Sequence, residues 1–190
     1  MISDNFDGEP PVVTSVNPNT ANNNEDTVIT ITGTDFISEC GRGVFLGSVS
    51  LSTWSIDSDN QITARIPACT FAAGTYHVRI WANDGYSAET VNDQVTLSPS
   101  LAITSVVPNT IDNDIDNVVT ISGSDFTCAT GVELINANRT INLTTWSINN
   151  DNQITATIPT GIIAATYHTV VVTGFGESPQ TANDQVTVNE

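Results

Sequence analysis

The 190-residue chain contains no lysine, and its four cations are Arg42, Arg65, Arg79 and Arg139. Against them stand 21 acidic residues, for a formal charge of −17. Binding to a phosphate backbone works by neutralising phosphates with Lys and Arg, so this balance excludes nucleic acid and argues against anionic membrane surfaces. Long apolar runs are missing as well. No stretch approaches the ~18 apolar residues that a membrane span needs, so no membrane insertion is expected. The opening residues MISDNFDGEP have neither the basic start nor the apolar stretch of a secretory signal. Cysteine is scarce, and Cys40, Cys69 and Cys128 have no C-x-x-C or metal-ligand spacing. There is no G-x-S-x-G, no phosphate loop and no histidine-rich metal motif, and the acid pairs, Asp57 and Asp59 among them, fall in turn-like segments. Acid–base work by such a pair requires a cleft that raises one pKa. A non-enzymatic function is therefore expected.

What the chain does have is an internal repeat, the observation that dominates all others. Pro11-VVTSVNPNT-Ala21 returns as Leu101-AITSVVPNT-Ile111, and Val28–Phe36 (VITITGTDF) as Val118–Phe126 (VVTISGSDF). Leu51–Pro67 returns as Leu143–Pro159, Thr75–His77 as Thr166–His168, and the NDQVT that starts at Asn92 as the one that starts at Asn183. The offset moves between blocks, which places insertions in loops and makes the blocks a framework. The expected organisation is a tail over 1–10, a first domain over 11–98, a linker at 99–100 and a second domain over 101–190.

Inside each block apolar and polar residues alternate with β-branched enrichment, the period-two signature of half-buried strands; helical periodicity of useful length does not compete. Strands are expected near 12–16, 27–33, 43–47, 49–56, 61–66, 75–83 and 93–98, with the same seven between 102 and 188. Seven short strands in about ninety residues argue for an all-β antiparallel sandwich in each repeat. The motifs carry a family resemblance across nearly the whole chain: S-V-x-P at Ser15–Pro18 and Ser105–Pro108, V-x-I-x-G-x-x-F ending at Phe36 and Phe126, V-x-x-G at Val44–Gly47, N-x-I-T-A-x-I-P at Asn60–Pro67 and Asn152–Pro159, and G-T-Y-x-V at Gly74–Val78. Each repeat resembles an IPT/TIG domain, which implies two tandem immunoglobulin-like sandwiches. The repeats depart from the pattern in the turn before the second strand, NNNEDT and DNDIDN, and in the second repeat at Ile135-Asn136 and Ala165, where the glycines are lost.

An antiparallel seven-strand order puts the loops after the first, third and fifth strands at one end and the remaining loops at the other. The short Pro-containing connection Ser98-Pro99-Ser100 is expected to stack the domains nearly end to end. In the loop after the first strand, Asn22, Asn24 and Asp26 align with Asp112, Asp114 and Asp116, which puts oxygen ligands at alternate positions in both copies. Calcium takes six to eight hard oxygens, and Asp125, Asp151 and Asp184, with Asn150 and Asn183, could supply more from the opposite end of the second repeat. The competing reading is that Asn and Asp fill these turns because they tolerate left-handed geometry and cap their own backbone. Calcium is thus the one candidate cofactor. The same loop map makes a Cys69–Cys128 disulfide geometrically allowed in an oxidising compartment, with Cys40 left over; reduced thiols and a Cys40–Cys69 bridge are the alternatives.

His77 and His168 occupy equivalent places and read as framework, as do Trp54 and Trp146. Trp81 and Tyr86 differ, because the second repeat has Thr173 and no aromatic where they are expected to match; such a pair can stack on sugar rings or pack on a neighbouring loop. Asn138-Arg-Thr140 and Asn142-Leu-Thr144 fit the glycosylation pattern, which an Asn- and Thr-rich chain also produces by chance. The first functional reading is an extracellular structural or adhesive protein, a stiff rod that self-associates or meets other cell-surface proteins, with tail residues Ile2 and Phe6 as candidate anchors. A head-to-tail contact of that kind does not close and would give a filament. The second is a spacer or glycan-binding accessory module of a larger secreted enzyme or receptor, a context in which IPT/TIG relatives occur.

Overall fold

Period-two alternation sends Ile29 and Ile31 inward with no exposed surface while Val28, Thr30 and Thr32 face outward, and it does the same to Ile62, Ala64 and Ile66 against Thr63 and Arg65. Repeated along every block, this alternation closes two sandwiches, each with its own apolar core. The computed structural model describes residues 9–37, 43–82, 85–98 and 100–190. Cys40, the tail residues Ile2 and Phe6 and the linker residue Pro99 lie outside the described residues. The chain divides into two units, Met1–Pro99 and Ser100–Glu190.

The first unit contains β1 (Val12–Asn17), β2 (Thr20–Asn22), β3 (Thr27–Thr34), β4 (Gly43–Leu46), β5 (Val49–Ser50), β6 (Trp54–Ser58), β7 (Gln61–Ile66), β8 (Gly74–Ala82), β9 (Gly85–Tyr86) and β10 (Gln94–Ser98). One sheet has the order β1-β3-β7-β6, and the facing sheet β2-β10-β8-β4-β5, with β9 folded back on β8. The second unit repeats this topology with β11 (Ala102–Val107), β12 (Thr110–Asp112), β13 (Asn117–Ser124), β14 (Ala129–Asn136), β15 (Arg139–Asn142), β16 (Trp146–Asn150), β17 (Gln153–Ile158), β18 (Ala165–Thr173), β19 (Gly176–Glu177) and β20 (Gln185–Asn189). A 3-10 turn at Phe126–Cys128 precedes β14. No helix among the described residues is long and apolar enough to cross a membrane.

Two features go beyond what alternation reveals. After β1 and β11 the chain passes through the cis bonds Asn17–Pro18 and Val107–Pro108 and changes sheets, so that β2 and β12 pair in parallel with β10 and β20. The segment 49–56, which reads as one strand, is divided between the sheets. Leu51 donates its N–H to the Val44 carbonyl at 2.8 Å and closes the β4–β5 hairpin, whereas the Thr53 carbonyl accepts from the Arg65 N–H at 2.9 Å in the other sheet. The buried Leu51 side chain is the pivot between these two pairings.

The G-x-x-F motif has a packing explanation. At Gly33 the β1–β3 register slips by one residue, and the Phe36 ring folds back over the glycine. A Cβ there would sit 1.9 Å from the Val12 carbonyl oxygen and 2.5 Å from the Phe36 ring. At Gly123 the corresponding distances are 2.0 Å to the Ala102 oxygen and 2.5 Å to the Phe126 ring. Gly33→Ala or Gly123→Ala is therefore expected to cost about 3 kcal/mol by overpacking, read from denaturant midpoints. A stabilising change is also expected. Thr169 is 0% exposed, its hydroxyl has no hydrogen-bond partner among the described residues, and Val78 holds the equivalent place in the first unit. Thr169→Val should raise stability by about 1 kcal/mol, because it removes an unsatisfied buried hydroxyl at nearly constant shape; an unchanged or lower midpoint would refute this.

Candidate functional site

In the first unit the acidic loop that joins β2 to β3 is stitched to the loop between β7 and β8. The Asp26 carboxylate accepts from the Ala68 N–H at 2.9 Å and pairs with the Arg65 guanidinium. The backbone donor first, and then the arginine, hold its pKa below the ordinary value of 3.8. Asn23 reaches the Phe71 carbonyl through Nδ2 at 3.2 Å, and its own carbonyl takes the Cys69 N–H at 3.0 Å. Cys69 is thus held in the left-handed region at φ 55. Asn22 accepts the Asn24 N–H on its side-chain oxygen at 3.0 Å, an Asx turn. In the second unit Asp116 takes the Thr160 N–H at 2.8 Å, and the Asn113 carbonyl takes the Thr160 hydroxyl at 2.9 Å and the Gly161 N–H at 2.7 Å. Asp112 and Asp114 are exposed, and the alternate spacing does not gather Asp112, Asp114 and Asp116 within 4.8 Å of one another.

At the other end of the second unit, Asp151 accepts from the Thr127 N–H at 3.1 Å and its hydroxyl at 2.5 Å, and Asn152 binds the Gly123 carbonyl at 3.0 Å. Asp59 and Asn60 repeat this arrangement on Ile37 and Gly33 at 3.1 and 2.9 Å. Asn150 caps the turn by accepting the Asn152 N–H at 2.8 Å. Asp125 is buried in the left-handed region at φ 60, as Asp35 is at φ 65, and Cys128 is buried at the end of the 3-10 turn.

The sequence reading missed a fully buried polar contact in each unit. Asp93 and Asp184 are both 0% exposed. Asp93 accepts from His77 Nδ1 at 2.5 Å, from the Thr90 N–H at 2.6 Å and from the Thr90 hydroxyl at 3.2 Å. Asp184 does the same with His168 at 2.6 Å, the Thr181 N–H at 2.5 Å and its hydroxyl at 3.1 Å. The threonine hydroxyls in turn accept the Asn92 and Asn183 N–H groups at 3.1 and 3.2 Å. Both histidines are framework, and Asp184, proposed above as a metal ligand, has both carboxylate oxygens engaged within its own unit. The signal lay in the repeated Thr75–His77 and NDQVT blocks, but 16 residues separate each pair.

On β8 the same alternation aims His77, Arg79 and Trp81 outward. Trp81 is 38% exposed and lies opposite Tyr86, which is 45% exposed. Phe45 meets the Tyr86 ring edge to face at 5.5 Å, and the Arg79 guanidinium lies 4.8 Å from its centroid. Arg79 is itself fixed by the Gly47 carbonyl at 2.7 Å and by Glu89 at 3.6 Å. Pairing registers correct the repeat equivalence: Trp81 lies opposite Gly43 as Val172 lies opposite Gly131, so the counterpart of Trp81 is Val172 and not Thr173. By the same registers Arg79 becomes Val170, Phe45 becomes Glu133 and Tyr86 becomes Glu177. The aromatic cluster belongs to the first unit alone. Asp57, weighed above as an acid–base group, sits at an exposed sheet edge. Hydrogen bonds from Thr63 and then Gln61 push its pKa down, opposite to what a general acid needs.

The sequence model of the IPT/TIG domain family matches residues 11–98. No curated protein matches the chain. Among solved structures it is similar to the plexin A4 full extracellular region, with 12% identity and a TM-score of 0.43 over 94% of this chain and 16% of that one. It is also similar to the Yersinia pseudotuberculosis adhesin InvE, with 15% identity and a TM-score of 0.43 over 95% of this chain and 59% of that one. A third likeness is to the Bacteroides ovatus mixed-linkage glucan utilization locus SGBP-B in complex with a mixed-linkage heptasaccharide, with 17% identity and a TM-score of 0.36 over 90% of this chain and 43% of that one. The chain therefore spans less than two thirds of each of these structures.

Two expectations follow from the polar contacts. Removing a fully buried carboxylate leaves the donors gathered around it unpaired, so Asp93→Ala or Asp184→Ala should cost about 3 kcal/mol, while Asp114→Ala should cost less than about 0.5 kcal/mol. Equal small effects at all three positions would contradict the assignment. The lowered pKa of Asp57 adds stability that is complete above the ordinary value of 3.8 and is lost as the pH falls through the lowered one. Asn149 holds the same place in the second unit and donates to Gln153 and Thr155 at 3.0 and 2.8 Å. Asp57→Asn should therefore flatten part of the loss of thermal stability between about pH 5 and pH 2; an unchanged acid limb would count against it.

Proposed function

For a chain whose first unit matches the IPT/TIG family model, we propose a non-catalytic extracellular structural or adhesive module that meets its partner on the outer face of the β10–β8–β4 sheet. One observation carries the reading: Trp81 and Tyr86 stand exposed on a face where the second unit has Val172 and Glu177, and Phe45 and Arg79 hold Tyr86 in place. Exposed Trp, Tyr and Arg that are already ordered lose little side-chain entropy on binding, which is why such residues dominate interface energetics. The lysine-free acidic surface supports the reading by discouraging nonspecific association. Several acidic groups and both histidines have bracing roles, Asp26, Asp59, Asp116 and Asp151 in the loops and the histidines against buried Asp93 and Asp184.

A head-to-tail filament, in which this face meets a different surface of the next copy, is the finer form of the proposal, with calcium taken up by the exposed carboxylates of Asp112 and Asp114. The alternative is that Trp81 and Tyr86 stack on the faces of sugar rings in a glycan-binding accessory module. Light-scattering mass of the full chain, in millimolar calcium and in excess EDTA, tests the first. A large mass that EDTA reverses and that Trp81→Ala with Tyr86→Ala abolishes is expected for the filament. A monomeric mass in both conditions would remove self-assembly and leave the face to a different partner.

A further inference from the structure

The loss of aromatics from the second unit has a structural counterpart. Where the first unit carries Phe45 and Trp81, the second carries Glu133 and Val172, and a cleft of about 280 Å3 opens there, walled by Trp146. Gly131 at its base has nothing closer to a would-be Cβ than Val172 at 3.6 Å, so the depression reaches down to the sheet backbone. Glu133 and Asn142 face each other across the β14–β15 ladder, directly opposite in register, and among the described residues no hydrogen bond or ion pair engages their side chains. Such a pair holds its Cβ atoms ~5 Å apart. Thr130 donates its hydroxyl proton to the Val172 carbonyl at 3.2 Å and so presents its oxygen lone pairs at the rim. The cleft volume of about 280 Å3 lies just below the ~300–1,000 Å3 of small-molecule sites, enough for a single sugar ring.

We propose that this cleft of the second unit binds one residue of a neutral glycan, its C–H face against the Trp146 ring and its hydroxyls on Glu133 and Asn142. A pyranose needs an apolar plane on one side and both donors and acceptors around its rim. Trp146 gives the plane, Glu133 accepts, and the Asn142 carboxamide does both. The charge of −17 and the Glu133 carboxylate turn away uronate, sulfated and sialylated chains, which leaves uncharged sugars. This goes beyond the proposed role of the first unit and stands without it, because none of the cleft residues belongs to the Trp81 face.

The test is an amide chemical-shift titration of the 15N-labelled full chain with cellotetraose, maltotetraose, xylotetraose and tetragalacturonic acid, with tetramethylammonium as a cation control. At least one neutral tetramer should shift Thr130, Gly131, Glu133, Asn142 and Val172 with Kd ~1 mM, and the uronate should not. Glu133→Gln and Asn142→Ala, both surface changes whose fold the same spectra report, should each weaken binding ~3- to 10-fold. Absence of shifts with all three neutral sugars overturns the proposal. So do shifts confined to Trp81 and Tyr86, equal binding of the uronate, or a response to tetramethylammonium alone.

Discussion

Each unit depends on an aspartate with no exposed surface. A carboxylate taken out of water costs several kcal/mol unless donors surround it, and Asp93 and Asp184 each gather an imidazole, a backbone amide and a hydroxyl within 3.2 Å. Meeting that demand fixes three things at once. It closes the turn between Thr90 and Asp93, or Thr181 and Asp184, in a reciprocal arrangement like a capping box. It orients the histidine on β8 or β18. Through the Asp93 and Asp184 carbonyls, which accept from Val78 and Thr169 at 2.9 Å, it also sets the register of the returning strand. With the register fixed, the alternation on β8 determines that His77, Arg79 and Trp81 share the outer face.

Because the two units answer that demand identically, their differences are informative. Their cores share the pattern of Ile, Val, Leu and Phe, and Gly33 and Gly123 meet their phenylalanines in the same way. One outer face has diverged in character, since Phe45, Arg79, Trp81 and Tyr86 give way there to Glu133, Val170, Val172 and Glu177. One frame thus offers a raised aromatic surface in the first unit and a polar-lined cleft in the second. Divergence that leaves the core and bracing contacts intact is how a scaffold takes on separate recognition tasks.

The fold was legible because its signals are local. Period-two alternation located most strands, and the matched blocks located the frame. The parallel pairing of β2 with β10 was not legible, since three residues are too few for a periodic signal and their partner lies at the far end of the unit. The division of 49–56 depended on where the Leu51 amide finds its acceptor, which no alternation encodes. For the site, the exposed Trp81 and Tyr86 could be singled out because the second repeat lacks them, but a one-residue alignment error gave Trp81 the wrong counterpart, and only strand pairing resolved it. The alternating Asp and Asn of the loops suggested ligands. Two of them, Asp26 and Asp116, are engaged by backbone donors from loops that lie 42 and 44 residues away in sequence, a distance over which spacing carries no information.

The claim that a buried, triply bonded aspartate organises each unit is tested most directly by amide hydrogen exchange at Thr90 and Thr181, whose N–H groups point at the carboxylates. If these aspartates set the frame, both turn amides will exchange as slowly as the core amides of β8 and β18, close to the limit set by global unfolding. Exchange at the rate of the exposed turns, with the neighbouring strands still protected, would show that the turns open independently and that the frame rests on apolar packing alone.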